Sequence, residues 1–418
     1  MIKLLVAALL LTQITTASAV LNIEIIGAGE HQIPVAIVPF GGDTSSAQTI
    51  NEVVVSDLTR TGLFRLVDAS DKSPHDVTEV NYADWQGRGA EALAVGKVTV
   101  AAKRVDVKFQ LLDAVKQTVL DAQNVSSSDG SLRAVGHRVA DLIYEKLTGD
   151  KGVFSTRIAY VNRQGKKFRL VVADSDGQNE QTLLAQNEPI MSPAWSSDGS
   201  KIAYVSFVGA HAVVYVQSVF GNQRIAIADS RGSNSAPAWS PNGEQLAVVL
   251  SREGSSQIYM VTAQGKELRR ITSGGGIDTE PNFSPDGQSL LFTSDRGGTP
   301  QIYQMSISGS AAKRMTFGVG NNYSPRYSPD GQSFVFTHQT KDNFYIATQA
   351  LQSGEMEILT KGGLEKKPSY SPNGKVVMYA SEVGGRGILA TVSSDGRVKQ
   401  KMSTANGDAR EPVWGPSL

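Results

Sequence analysis

The chain has 418 residues, with 40 basic and 40 acidic side chains and no cysteine. Its length allows two domains with separate cores. The missing cysteine excludes disulfides, a thiol nucleophile and a lipid-bearing N-terminal Cys; the balanced charge lacks the basic excess that phosphate backbones favour, so nucleic acid is not an expected partner.

Residues 1–19 combine Lys3, an apolar run over residues 4–11 and Ala17-Ser18-Ala19, the pattern of a secretory signal cut before Val20. That run is far shorter than the roughly 20 residues a bilayer requires, so export without direct membrane insertion is expected. Residues 20–32 form a separate segment in which Leu21, Ile23 and Ile25 alternate with Asn22 and Glu24 until Gly27-Ala28-Gly29 breaks the pattern. Alternation marks a strand without naming its neighbour. Both the first strand of the next domain and an edge strand added to this or another protein satisfy it.

Residues 33–150 read as a small α/β domain. Residues 35–40 and 63–67 are buried-type strands; between them Ser45 or Ser46 can cap a helix with Ile50, Val53, Val54 and Leu58 on one face. Three further strands follow over residues 93–101, 105–112 and 117–125, with Val105, Val107, Phe109 and Leu111 alternating. Ser131 opens a second helix striped by Leu132, Val135, Val139, Leu142, Ile143 and Leu147, and Gly149 ends it. The expected result is a mixed sheet with helices on one face.

Residues 151–418 carry a phrase repeated six times: Pro, any residue, aromatic. The prolines are Pro193, Pro237, Pro281, Pro325, Pro368 and Pro412, and the rings are Trp195, Trp239, Phe283, Tyr327, Tyr370 and Trp414. A period near 44 is that of a propeller blade. In the first five copies Ser and an Asp-Gly or Asn-Gly turn follow, feeding a second, β-branched strand, then a third and a short fourth. The rings suit packing between blades. The last copy stops before its second strand, whereas Ile158-Ala159-Tyr160-Val161 has outer strands and no proline strand of its own. The C-terminal strand is therefore expected to complete the first blade and close the ring. The fold class is an α/β N-terminal domain plus an all-β six-bladed propeller.

Catalytic constellations are sparse. No G-x-S-x-G occurs, so a serine hydrolase lacks its nucleophile elbow. Only His211 and His338 lie in the propeller, too few to build a channel metal site. Asp174-Ser175-Asp176-Gly177 resembles part of a calcium loop but lacks the later acidic ligands and reads as a hairpin turn. Neither Gly27-Ala28-Gly29 nor Gly274-Gly275-Gly276 has the spacing of a phosphate cradle. No cofactor and no metal are expected. The loops ahead of the inner strands, residues 189–192, 233–236, 277–280, 321–324, 365–367 and 408–411, gather at one mouth; polar, mixed in charge and containing Met191 and Tyr323, they suit a peptide or protein partner.

The order of signal, α/β domain and six repeats ending in Glu411-Pro412-Val413-Trp414 resembles the TolB family of the Tol-Pal system, as do the phrases Ala36-Ile37-Val38-Pro39-Phe40, Glu145-Lys146-Leu147-Thr148-Gly149, Thr156-Arg157-Ile158-Ala159-Tyr160 and Met191-Ser192-Pro193-Ala194-Trp195. The resemblance spans essentially the whole chain. It implies a periplasmic, non-enzymatic adaptor that supports outer-membrane invagination at division and envelope integrity. Pal, the peptidoglycan-associated lipoprotein, would be bound through Ser233, Asn234, Ala236, Asp278, Thr279 and Glu280; TolA would be bound through Leu21, Asn22, Ile23, Glu24, Ile25 and Ile26. The alternative is a periplasmic hydrolase or lyase with an active site in the channel, as other propellers have.

Overall fold

The computed structural model describes residues 22–26, 32–403 and 407–417. The expected signal and Leu21 lie outside the described residues. No helix among the described residues is long and apolar enough to cross a membrane.

The N-terminal sheet runs in the order Phe64–Val67, Ile33–Ile37, Ala92–Ala101, Arg104–Asp113, Thr118–Ser127. Its first three strands are parallel and the rest antiparallel. Val105, Val107, Phe109 and Leu111 share one cluster with Ile50, Val54 and Leu58 of helix α1 (Thr44–Arg60). Two departures from expectation have local causes. Asp43, extended at φ −65° and ψ 110°, caps α1 by accepting the Ser46 amide at 3.0 Å, whereas Ser45 and Ser46 are already helical. The sheet is also covered on both faces: helix α2 (Tyr82–Gly87) buries Trp85 against Ala36, Val38, Leu93 and Val95, which alternate with the residues of the first cluster. Six residues are too few to show a helical stripe. The third helix, α3 (Leu132–Thr148), is capped by Ser131 and stops at Gly149, which takes φ +81°.

The C-terminal region is a ring of six four-stranded antiparallel blades. Its inner strands are Asp408–Trp414, Ile190–Trp195, Asn234–Trp239, Asp278–Phe283, Asn321–Tyr327 and Lys366–Tyr370, here numbered blades one to six. The C-terminal strand pairs with Arg157–Gln164, from Asp408 opposite Arg163 to Trp414 opposite Ile158, and so completes blade one. Each phrase ring packs on the blade before it: Trp195 lies among Ala159, Val161, Leu170 and Val172, and Trp414 among Met378, Leu389 and Met402. The turn after each of the first five phrases is hydrogen-bonded as its sequence demands. In the Ser284 turn, the Asp286 carboxylate accepts the Gln288 amide at 3.0 Å and Gly287 takes φ +71°.

The N-terminal segment is the element the sequence left unplaced. Asn22–Ile26 does not join the α/β sheet; it runs antiparallel beside Lys399–Ser403 as a fifth, outermost strand of blade six, from Asn22 opposite Ser403 to Ile26 opposite Lys399. Without it the outer strand of blade six would be an open edge.

Candidate functional site

The Pro-x-aromatic phrase shapes the channel through a feature invisible in composition. Ser192, Ala236, Glu280, Ser324, Lys367 and Glu411, each immediately before its proline, all have positive φ, between 45° and 58°. At each one the register skips, as between Thr279 and Asn282 or Lys366 and Ser369. The residue and its proline thus form a β-bulge facing one residue of the second strand, where an imino acid without an N–H costs no ladder bond. A non-glycine left-handed residue costs on the order of 1 kcal/mol, and repetition round the ring ties it to the architecture.

The bulges turn these side chains toward one another. Glu280 Oε1 accepts the Ser324 hydroxyl at 2.6 Å and the Lys367 ammonium at 2.5 Å; Oε2 accepts the Ser324 amide at 2.8 Å and the Thr293 hydroxyl at 3.0 Å. One carboxylate therefore joins blades four, five and six. Burial works against its charge, but Lys367 and the Ser324 donors prevail and hold its pKa down at about 2. Glu411 accepts the Ser192 amide at 3.2 Å, joining blades one and two. Arg326, immediately after the blade-five bulge, is pulled below its ordinary range by burial, against the fields of Glu280 and Glu411.

Three residues before each proline lies a second recurring slot, and it faces inward. Asn234 is fully buried: its amide donates to the carbonyls of Ala212 and Ser230 at 2.9 and 2.7 Å and its oxygen accepts the Ser230 amide at 3.0 Å. Asp278 is buried in an ion pair with Arg296 at 2.7 Å, and Asn322 is buried against Gln301 and His338. These side chains lock the loops ahead of the inner strands. Of the residues expected to meet Pal, Asn234 and Asp278 occupy this slot, Glu280 is the three-blade brace, Ser233 is exposed, and Ala236 and Thr279 are half-buried. Of those expected to meet TolA, Asn22 to Ile26 form the added strand on blade six.

Beyond Met191, which the sequence already singled out, the mouth carries apolar residues that sequence reading passed over. Phe317 and Val319, flanked by Gly318 and Gly320 in the loop before blade five, are 72% and 90% exposed. Ile277, Met191 and Leu364 are exposed in the matching loops of other blades. The Phe-Gly-Val-Gly run between two strands was the available signal, since glycine-flanked apolar residues have no strand on which to be buried.

One group among the described residues has metal-like spacing: His137, Asp174 and Asp176. A cation does not fit there. The Arg133 guanidinium already bonds both Asp174, at 3.3 Å, and Asp176, at 2.5 Å.

The fold and mouth together define a class: a two-domain protein in which a small α/β unit precedes a six-bladed propeller with a braced channel and a partly apolar rim. Residues 21–120 match the family profile described as the TolB amino-terminal domain, and residues 144–418 match the TolB beta propeller domain. The chain is 60% identical over 411 residues to the Tol-Pal system protein TolB of Nitrosomonas europaea, covering 98% of this chain and 97% of that one. It is 50% identical to the protein of that name from Bordetella pertussis, covering 99% and 94%. The crystal structure of TolB from Acinetobacter baumannii superposes with a TM-score of 0.88 at 36% identity, over 95% of this chain and all of that one. The chain belongs to the TolB family.

Proposed function

We propose that the protein is a periplasmic, non-enzymatic adaptor of the Tol-Pal system, taking Pal at the propeller mouth and TolA through the N-terminal segment, and thereby serving outer-membrane invagination at division and envelope integrity. The observation that carries this reading is the contrast within the mouth. Its central brace is committed, Glu280 through both oxygens to Lys367, Ser324 and Thr293, whereas Phe317, Val319, Ile277, Met191 and Leu364 stand exposed round the rim. Exposed apolar residues within a polar rim mark a protein-binding surface. A hydrolase or lyase needs an uncommitted acid, base or nucleophile in the channel. The seat of Asn22–Ile26 at a sheet edge suits a strand that can be handed to another sheet.

The test is calorimetric titration of the mature protein with the soluble domain of Pal, repeated with Thr279→Arg. Wild-type binding that the substitution abolishes is expected; a folded wild type that does not bind removes the mouth assignment. Deleting residues 20–29 is expected to abolish capture of TolA and leave Pal binding intact, and loss of both would defeat the two-site reading.

A further inference from the structure

The Asp174-Ser175-Asp176 turn of blade one forms a buried junction with the α/β domain. Arg133 and His137, one turn apart on α3, reach it from one side, and Asp57 and Arg60 at the end of α1 from the other. Arg133 bonds Asp174 and Asp176; His137 holds Asp57 through Nδ1 at 2.6 Å and lies 3.6 Å from Asp174 through Nε2. Arg60 donates to the Ser175 hydroxyl at 2.8 Å, pairs with Asp57 at 3.1 Å and lies over the Phe154 ring at 5.1 Å. One turn further along α3, Asp141 accepts the amides of Phe154 and Ser155 at 2.7 and 3.1 Å, fixing the chain between the domains. With His137 protonated, three carboxylates (Asp57, Asp174, Asp176) face three cations, so the cluster is balanced only when both domains contribute. Each domain keeps its own apolar core, so the junction can open without unfolding either.

A strand of blade six also enters the junction. Gln400 donates its side-chain amide to the carbonyl of Arg60, one of the acceptors a helix leaves unpaired at its C-terminus. Gln400 lies on Lys399–Ser403, opposite Ile25, and that strand has neighbours on both sides only while Asn22–Ile26 is seated.

We propose that this cluster is an interdomain latch held shut by the N-terminal strand: with Asn22–Ile26 seated, Lys399–Ser403 is a paired interior strand that presents Gln400 to Arg60, and when the segment leaves, the freed edge lets go of Arg60 and the domains lose their single orientation. The coupling to partner binding rests on the adaptor reading above; the latch itself does not.

Because the chain has no cysteine, two can be introduced cleanly at exposed sites, Lys116→Cys in the α/β domain and Lys266→Cys in the propeller, and spin-labelled for interdomain distance measurement on the full mature protein. The seated protein is expected to give one narrow distance. Asp176→Asn, deletion of residues 20–29 and Gln400→Leu are each expected to lose that single distance while circular dichroism stays native. A narrow distance retained in Asp176→Asn overturns the latch. Broadening in Asp176→Asn with neither the deletion nor Gln400→Leu changing it overturns control by the strand. Capture of TolA, assayed separately with the unlabelled protein, reports on the adaptor reading independently of either result.

Discussion

The chain makes two long-range closures, and they rest on opposite physics. The ring closes when Trp414 enters a buried apolar cluster with Ile158, Tyr160, Met378 and Leu389, its indole N–H donating to the Thr156 hydroxyl at 2.8 Å. The two domains meet through the balanced charges around His137. Apolar closure gains stability from every square ångström taken from water, whereas buried ion pairs give back most of their attraction as desolvation and contribute direction instead. The first kind of junction suits a permanent seam and the second a joint.

The sharpest way to break that comparison is Trp414→Ala. A buried Trp lost from a packed seam costs about 3–5 kcal/mol, and here it also removes the bond to Thr156. A large fall in the urea midpoint of the propeller is expected. Lys367→Met comes next: it strands Glu280 among its remaining donors and is expected to cost about 3 kcal/mol, much of it recovered by adding Glu280→Gln. Glu280 has a folded pKa below its ordinary 4.5, so its contribution is present above that value and disappears as pH falls through about 2. Acid titration of the propeller with and without Glu280→Gln checks the sign.

These two closures also differ in how far sequence could reveal them. The seam announces itself, because Pro412 and Trp414 stand in register with five earlier copies and Ile158 waits without an inner partner. The joint does not. Arg133, His137 and Asp141 form a stripe at four-residue spacing, but it lies beside the stronger apolar stripe of Val135, Val139 and Ile143 and reads as an ordinary solvated face. Asp174 and Asp176 look like turn residues, and they are; what they reach for belongs to another domain. The seat of Asn22–Ile26 was hidden for a related reason, since alternation specifies a face and leaves the neighbour open. At the mouth, the loops could be placed from the repeat, yet the inward aim of Asn234 and Asp278 depends on bulge register, which Ser, Ala, Glu and Lys at the positive-φ positions do not betray.

A pH titration separates joint from seam. In the fold, burial disfavours the charged imidazole of His137, but Asp174 and Asp57 outweigh it and raise its pKa from 6.5 to about 9. A raised pKa contributes stability that is complete below 6.5 and is lost as pH climbs through 9. About 3 kcal/mol should therefore leave the native state across that window, read as a falling urea midpoint that flattens in His137→Gln. Trp414 does not titrate, so the seam should hold over the same range.

The smallest expected stability effect carries the most information about function. Phe317 stands 72% exposed at the mouth, so Phe317→Ser should change the unfolding free energy by no more than about 0.5 kcal/mol. Asn234→Ala, a few residues from the same rim, should cost about 1–3 kcal/mol because it leaves the Ser230 amide and the Ala212 carbonyl short of a partner inside the loop. If the rim is a protein-binding surface, their effects on Pal should run the other way: Phe317→Ser should weaken binding about tenfold or more as a lost apolar anchor, with its folding untouched. Weakened Pal binding in Asn234→Ala alone would mean that loop order, and not the exposed apolar rim, is what the partner reads.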